Sequence, residues 1–350
     1  MRDIDVVAQG ETIAVGANTK MGRMPAFAGL AKATGGLYVE DQQGMTIDEA
    51  LVKAGLDYQV EALPDVQASY TDDSGVGFVT HPDWKMNVAR HADGTVTPVG
   101  MTKGRYQIVQ NAEAYAFAEI ILGEGGANVA AAGQYGSPMG SRTYLALMLD
   151  PFDVAGDKHQ MYVTILNSHD GTTGLEAMLA PLRLSCTNQT TATFGRNALN
   201  RISLRHTKSI DGRIEEARSV LGLAARWEEN FKKAADILLD TPMTVPQFQQ
   251  FTERVLWAKP KDTSAKRSNT THNNRVTELT ALFANASTNQ FGRGTRYAAY
   301  NAVTEYLDWT APVRGADSPE VARYTRTLDG TKDGMKALAF HRLLPELARA

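Results

Sequence analysis

Cysteine is nearly absent from this sequence, and so are the apolar segments that would place it in a membrane. The one cysteine among 350 residues, Cys186, excludes an intramolecular disulfide bond and a zinc site built from several thiolates. No segment approaches the roughly 18 consecutive apolar residues of a membrane-spanning helix. The first residues, MRDIDVVAQGE, lack the apolar core of a signal peptide. We therefore expect a cytoplasmic protein without membrane contact.

Nucleotide, metal and serine-hydrolase motifs are also missing. The glycine-rich stretches at 123–133 and 133–140 lack the Gly-Lys-Ser/Thr ending of a P-loop and the GxGxxG spacing after a strand, so we interpret them as turns. The seven histidines form no HxH or HxxxH pair, and no GxSxG motif is present. We predict that the protein uses neither a cofactor nor a metal ion.

The stretch NSHDGTTG, from Asn167 to Gly174, supports two hypotheses. In a hydrolase or nuclease, His169 would serve as the base, Asp170 or Asn188 would orient it, and Cys186 would be the nucleophile. However, Asn, Ser, Asp and Gly also favour tight turns, and alternating segments flank the stretch on both sides. We favour an exposed hairpin tip and keep the catalytic site as the alternative.

The order of hydrophobic patterns predicts an α+β protein, with an antiparallel β-meander followed by a mostly helical half. Residues 142–149, 159–167 and 174–186 alternate as strands do, and Asn111 is predicted to cap a helix. Capping boxes begin helices at Thr46 and Thr244. Further helices are predicted at 211–241, 274–287, 295–309, 318–328 and 331–348. The predicted regions are an N-terminal arm and short helix (1–57), a sheet core (58–210) and a helical region (211–350).

Positive charge is concentrated locally, although the net charge is −3. Residues 196–208 carry several basic side chains and no acid, and residues 258–275 are predicted to be an exposed basic loop. Arg105, Arg142 and Arg183 are predicted on solvent-facing strand positions. Such segments suit a nucleic-acid backbone, and adjacent tyrosines could stack on bases; the alternative is an ordinary solvated surface. The candidate contacts are Arg105, Tyr106, Arg142, Tyr144, His169, Arg183, Arg196, Arg201, Arg205, Lys208, Lys266 and Arg267.

Three stretches resemble one family. GRYQIVQNAEAYAF, NSHDGTTGLEAMLAPLRLSCTNQTTA and GTRYAAYNAVTEYLDW match, in order, its tyrosine strand and N-x-E helix, its HDG turn before an R-x-x-C-x-N strand end, and its N-A-V-x-E-Y helix. The sequence is thus similar to the phage- and plasmid-related family called domain of unknown function 932, over residues from about 60 to 310. The resemblance implies a phage or plasmid origin and brings no catalytic residues.

The predicted layout is also similar, by analogy alone, to single-strand annealing proteins of the Rad52/Redβ type. That analogy implies an oligomeric ring or filament that anneals single-stranded DNA in the bacterial host cytoplasm during recombination, without catalysis. A phage exonuclease is a candidate partner. The alternatives are a structural or interaction protein of a phage, and a hydrolase or nuclease centred on His169 and Asp170.

Overall fold

Antiparallel strands occupy most of the first half of the chain and helices most of the second, which confirms the predicted α+β class. The structure, a computed structural model, describes residues 24–39, 44–185, 187–190, 201–204, 210–258, 266–313 and 318–345. Four predicted contacts lie outside the described residues, namely Arg196, Arg205, Lys208 and the side chain of Arg267, and so does Cys186, the nucleophile of the alternative catalytic site.

The strands form three antiparallel sheets. The central sheet has the order β1-β7-β8-β9-β10-β13, with β11 pairing β9 and β12; a second sheet has the order β2-β5-β6; and β3 pairs β4. Their bounds are β1 Leu37–Tyr38, β2 Gln59–Leu63, β3 Gln67–Asp72, β4 Gly75–Thr80, β5 Trp84–Arg90, β6 Val96–Lys103, β7 Asn128–Tyr135, β8 Arg142–Val154, β9 Asp157–Ser168, β10 Glu176–Leu179, β11 Leu182–Arg183, β12 Asn188–Gln189 and β13 Arg201–Ser203.

Helices pack on both faces of the central sheet. Their bounds are α1 Ala26–Thr34, α2 Ile47–Lys53, α3 Asn111–Tyr115, α4 Ala118–Gly125, α5 Ile210–Leu239, α6 Val245–Phe251, α7 Lys266–Asn285, α8 Arg296–Glu305, α9 Pro319–Leu328 and α10 Asp333–Leu343, with π-helical turns at Thr252–Leu256 and Tyr306–Thr310. Within the described ranges, no helix is both long enough and apolar enough to cross a membrane.

The alternation of β8 and β9 buries two opposite sets of side chains. Leu145 and Val163 join the larger core, which extends from α2 through α5 and α8 to α10. Tyr144 and Tyr162 point to the other face, where α1 and α9 cover them. The prediction of a solvent-exposed sheet face is therefore wrong, because helices from both ends of the chain close that face.

A two-residue loop with positive φ angles joins β8 to β9 in a long hairpin. The loop residues Ala155 and Gly156 have φ angles of 51° and 99°, as a two-residue turn that matches the strand twist requires. The predicted strand at 174–186 is instead split into β10 and β11, because Pro181, which lies between them, has no N–H to donate to the ladder.

Several helix starts agree with the sequence, and others do not. Thr46 and Thr244 both form complete capping boxes, as predicted. Asn111 is the first residue of α3 rather than its N-cap. Residues 266–275 belong to α7, so the basic segment predicted to be a loop is helical over that part, and α1 lies where an irregular arm was predicted.

Candidate functional site

The side chain of Asp170 stabilises the HDG turn in which it lies. Asp170 Oδ1 accepts hydrogen bonds from the backbone N–H of Thr172 at 2.9 Å and from the hydroxyl of Ser168 at 2.7 Å. Burial opposes ionisation of this carboxyl, but the pKa of Asp170 is lowered because a hydrogen bond from the Thr172 hydroxyl, the two hydrogen bonds just named and the Arg142 charge together outweigh burial. Gly171 follows with φ of 72°. Asp170 thus shapes the turn, as Asp commonly does in tight turns.

The side chain of His169 is buried rather than exposed. Its side chain has no exposed surface, its Nε2 lies 3.1 Å from Asn111 Oδ1, and its Nδ1 has no hydrogen-bond partner in the part of the chain that the structure describes. Burial lowers the pKa of His169 to about 4, although Asp170 acts in the opposite direction. The prediction of an exposed tip is wrong for this residue, whose imidazole is neutral near pH 7 and out of reach of a bulk ligand.

Asn111 is the centre of the buried polar cluster that receives His169. Its Oδ1 accepts hydrogen bonds from Thr143 Oγ1 at 3.0 Å and Asn167 Nδ2 at 3.2 Å, and its Nδ2 donates to the carbonyl of Leu56 at 3.1 Å. Tyr115 joins through its hydroxyl, 2.6 Å from Thr143 Oγ1. The asparagine of the N-x-E helix and the histidine of the HDG turn therefore join α3 to β8 and β9.

Two of the predicted contact residues, Tyr144 and Arg142, are engaged by the helices that cover this face of the sheet: Tyr144 by α1, and Arg142 by the residue that follows α9. Tyr144 has no exposed surface and donates a hydrogen bond to the carbonyl of Phe27 at 2.8 Å. Arg142 is paired with Asp329 at 2.6 Å, and its guanidinium carbon lies 4.9 Å from the centre of the Tyr135 ring. Tyr144 cannot stack on a base in this arrangement, and Arg142 already has a carboxylate partner.

Arg183, also predicted to face solvent, is only 1% exposed. Its Nε lies 2.5 Å from Asp157 Oδ2, which also accepts a hydrogen bond from the Tyr297 hydroxyl at 2.7 Å. Arg183 Nη1 donates to the carbonyl of Thr288. The predicted exposure is wrong because helix α8 covers this edge of the sheet, and Arg183 joins the sheet to the C-terminal helices.

Arg201 is also engaged within the fold. Its guanidinium lies 3.3 Å from Glu176 and 3.5 Å from Asp333, and it donates to the carbonyl of Leu328. Lys266, by contrast, is exposed at the first residue of α7. Burial and pairing therefore leave few of the predicted contact residues on an accessible surface.

An accessible basic and aromatic surface lies where β5 begins and β6 ends. Trp84 is paired across the strands with Lys103, whose Nζ lies 6.0 Å from the centre of the indole ring. His81 packs edge-on against the same ring at 6.1 Å. Lys103 and Arg105 are exposed, and Trp84 is half-buried. We call His81, Trp84, Lys103, Arg105 and Tyr106 the basic–aromatic patch.

Tyr106 attaches the patch to the HDG turn. Its hydroxyl donates a 2.5 Å hydrogen bond to the carbonyl of Ser168, and a Cβ built on Gly171 would lie 3.6 Å from the Tyr106 ring. Burial raises the pKa of Tyr106 to about 12, with the Asp170 charge adding to the effect. The segment predicted as a strand here is instead a turn followed by irregular backbone. Tyr106 is half-buried, so it can offer only part of its ring to a ligand.

Arg105 and Tyr106 of the patch were predicted from the sequence as contact residues, whereas Trp84, Lys103 and His81 were not. The available signal was the pair of short stretches HPDWK and KGRY, each mixing basic and aromatic residues. What joins them is the strand register, which places Trp84 opposite Lys103. A pattern within one strand carries no information about that pairing.

The family model called domain of unknown function 932 matches residues 98–328. The chain belongs to this family. The matched span runs from within β6 to the end of α9, so it includes the HDG turn, the Asn111 cluster and the second half of the patch. No curated protein and no solved structure matches the chain significantly.

Proposed function

We propose that the chain binds single-stranded DNA through the basic–aromatic patch and anneals complementary strands during recombination, as a protein of phage or plasmid origin. The observation that carries the proposal is the placement of Lys103 over the Trp84 ring with Arg105 exposed nearby. Single-strand binding proteins combine cations that follow the phosphates with aromatic rings on which bases stack. The patch offers both within one pair of strand ends.

Local charge supports this choice of surface. Lys103 and Arg105 are both exposed, and they supply two cations at the end of β6. Asp83 is an exposed acid in the same turn, and the ionised Asp170 on the HDG turn has a counter-charge in Arg142, whose Nε lies 3.9 Å from its Oδ2. A slightly acidic protein can hold a polyanion where its local field is positive.

The annealing role is supported by analogy and by the state of the alternative site. A helix followed by the antiparallel β7–β8–β9–β10 meander is similar in layout to Rad52/Redβ-type annealing proteins, although a shared layout does not determine function. The alternative hydrolase or nuclease would centre on His169, which is buried, neutral near pH 7 and hydrogen-bonded to Asn111. An oligomeric annealer requires no catalytic group, and a phage exonuclease that supplies single strands would be a suitable partner.

Tryptophan fluorescence tests the assignment of the patch. Titration with an unlabelled thymidine oligonucleotide should quench part of the emission, because a base stacked on Trp84 changes its environment. Trp84→Phe should remove that quenching and weaken binding in an anisotropy assay.

The matched control is Trp257→Phe. Trp257 lies beneath the Arg275 guanidinium at 5.2 Å, so it has a similar cation–π contact elsewhere on the molecule. This variant should keep both the quenching and the affinity. Loss of quenching in Trp257→Phe, with retention in Trp84→Phe, would show that the patch is not the binding surface.

A further inference from the structure

The β3–β4 hairpin is an apolar ribbon that the rest of the described chain leaves uncovered. It forms a sheet of two strands, joined by the two-residue loop Asp73-Ser74, and its strands pair only with each other among the described residues. Four large side chains on it are more than half exposed, namely Tyr70 at 52%, Val76 at 67%, Phe78 at 67% and Val79 at 58%. An isolated two-stranded hairpin is marginally stable in water.

The outer edge of β4 has none of the features that normally prevent strand pairing. Natural edge strands carry lysine, proline, bulges or inward-facing charges for this purpose. Between Gly75 and Thr80 the sequence GVGFVT contains no charge and no proline, and its register with β3 is continuous. Its unpaired N–H and C=O groups therefore form a template for another extended strand.

Charge identifies the class of partner. Between Gln67 and Thr80 the only charged residues are Asp72 and Asp73, at the tip of the ribbon, and there is no lysine or arginine. An apolar ribbon with an acidic tip offers no cation to nucleic acid or to an anionic lipid surface, which leaves a protein as the partner. Two copies of β4 can approach each other without repulsion because the strand is uncharged, and antiparallel pairing would put the acidic tips of the two ribbons at opposite ends of the joint sheet.

We propose that β4 pairs antiparallel with β4 of a second copy of this chain, which converts two ribbons into one four-stranded sheet. In the existing ribbon, Val76 and Phe78 lie on one face, opposite Thr71 and Ser69. A two-fold axis perpendicular to the joint sheet places both copies of Val76 and Phe78 on that same face. The contact is isologous, so each copy contributes the same surface.

The size of this contact predicts a weak dimer. Stable protein interfaces use about 20–30 residues on each side, whereas β3 and β4 have six residues each. Main-chain hydrogen bonds provide much of the affinity in strand addition. We therefore expect a dimer whose population rises with protein concentration.

The dimer has a consequence for annealing, which rests on the proposed function of the patch. β4 ends at Thr80, and the patch begins at His81, so antiparallel pairing of the ribbons places the two patches at opposite ends of the joint sheet, where the two-fold axis relates them. A two-fold axis relates two bound strands with opposite polarity. Opposite polarity is what base pairing of complementary strands requires.

Molar mass measured over a concentration series tests the pairing. The wild-type protein should move from monomer to dimer, while Phe78→Lys and Val76→Lys should stay monomeric because a charged edge opposes pairing. Val52→Lys is the matched control, since Val52 is 62% exposed on helix α2, and it should dimerise as the wild type does. Circular dichroism spectra should be the same for all four proteins. A wild type that stays monomeric at every concentration, or a Phe78→Lys variant that still dimerises, would overturn the proposal.

Two assays separate this proposal from the proposed function. Phe78→Lys should bind single-stranded DNA with wild-type affinity but lose the acceleration of annealing. Lys103→Glu/Arg105→Glu should dimerise normally but fail to bind. If Phe78→Lys is monomeric and still accelerates annealing, the two-fold arrangement is wrong while the binding function stands. If neither the wild type nor Phe78→Lys binds DNA but only the wild type dimerises, the binding function is wrong while the strand pairing stands.

Discussion

The hydroxyl group of Tyr106 donates a hydrogen bond to the carbonyl of Ser168, across 2.5 Å. This contact joins the loop after β6 to the residue that precedes His169. Asn87 on β5, in the same β2–β5–β6 sheet, also donates a hydrogen bond from Nδ2 to the carbonyl of His169 at 2.7 Å. The HDG turn therefore acts as the anchor between the central sheet and the β2–β5–β6 sheet, and the basic–aromatic patch is built on that anchor.

The first prediction concerns the pH dependence of stability at His169. Its pKa is near 4 in the folded protein, against an ordinary value of 6.5. As the pH falls below about 6.5, the unfolded chain binds a proton there, and the folded chain does so only near pH 4. The free energy of unfolding should fall over this window, by up to about 3 kcal/mol from this residue.

Urea unfolding of the wild type and His169→Gln at pH 7 and pH 5 measures that contribution. The variant should lose less stability between the two pH values than the wild type, whatever its stability at pH 7. Equal losses in the two proteins would mean that His169 is not held neutral in the folded state.

The second prediction concerns the contact between the two sheets at Gly100. A Cβ added to Gly100 would lie 2.5 Å from the carbonyl oxygen of His169 and 2.7 Å from the Cα of Asp170. Both atoms are backbone, so the sheets must move apart. Gly100→Ala should lower the free energy of unfolding by about 1–3 kcal/mol. Gly104→Ala, where an added Cβ meets nothing within 4 Å, should change it little, and equal effects at the two glycines would contradict the close packing.

The third prediction separates stability from binding at Arg183. Arg183→Met leaves the Asp157 carboxylate buried without its guanidinium partner, which should cost about 3–5 kcal/mol, while Arg183→Met/Asp157→Asn should recover part of that loss. Arg105→Met, at an exposed position, should leave stability unchanged. Under conditions where Arg183→Met is folded, its affinity for single-stranded DNA should equal that of the wild type. A stable Arg183→Met variant with weakened DNA binding would contradict this prediction and would indicate that Arg183 contacts DNA, as the sequence suggested.

Local sequence signals predicted the elements that depend on local chemistry. The capping boxes at Thr46 and Thr244 form where expected, and the helix predicted at 318–328 is capped by Ser318, with Pro319 as its first residue. The alternation along β8 correctly separated Leu145 and Leu147 from Tyr144. These signals work because capping and alternation involve neighbours within a few residues.

Burial of the second sheet face was not predictable in the same way. The residues that cover Tyr144 come from α1 and α9, which lie more than a hundred residues away in opposite directions along the chain. Arg142, Arg183 and Arg201 resemble surface residues when only the neighbouring sequence is considered. In the structure, each forms an ion pair with a carboxylate from another segment of the chain. The patch was only half recognised for the related reason that strand register places Trp84 beside Lys103.

The salt dependence of DNA binding tests the central claim most directly. Single-strand affinity falls with salt by about 0.7 log units, per log unit of salt, for each phosphate neutralised. If Lys103 and Arg105 each contact a phosphate, Lys103→Gln/Arg105→Gln should flatten the slope by about 1.4, whereas the control Lys53→Gln/Lys158→Gln, at two exposed positions elsewhere, should keep the wild-type slope. Wild-type slopes in both variants, or no binding by the wild type at low salt, would contradict the assignment of the patch.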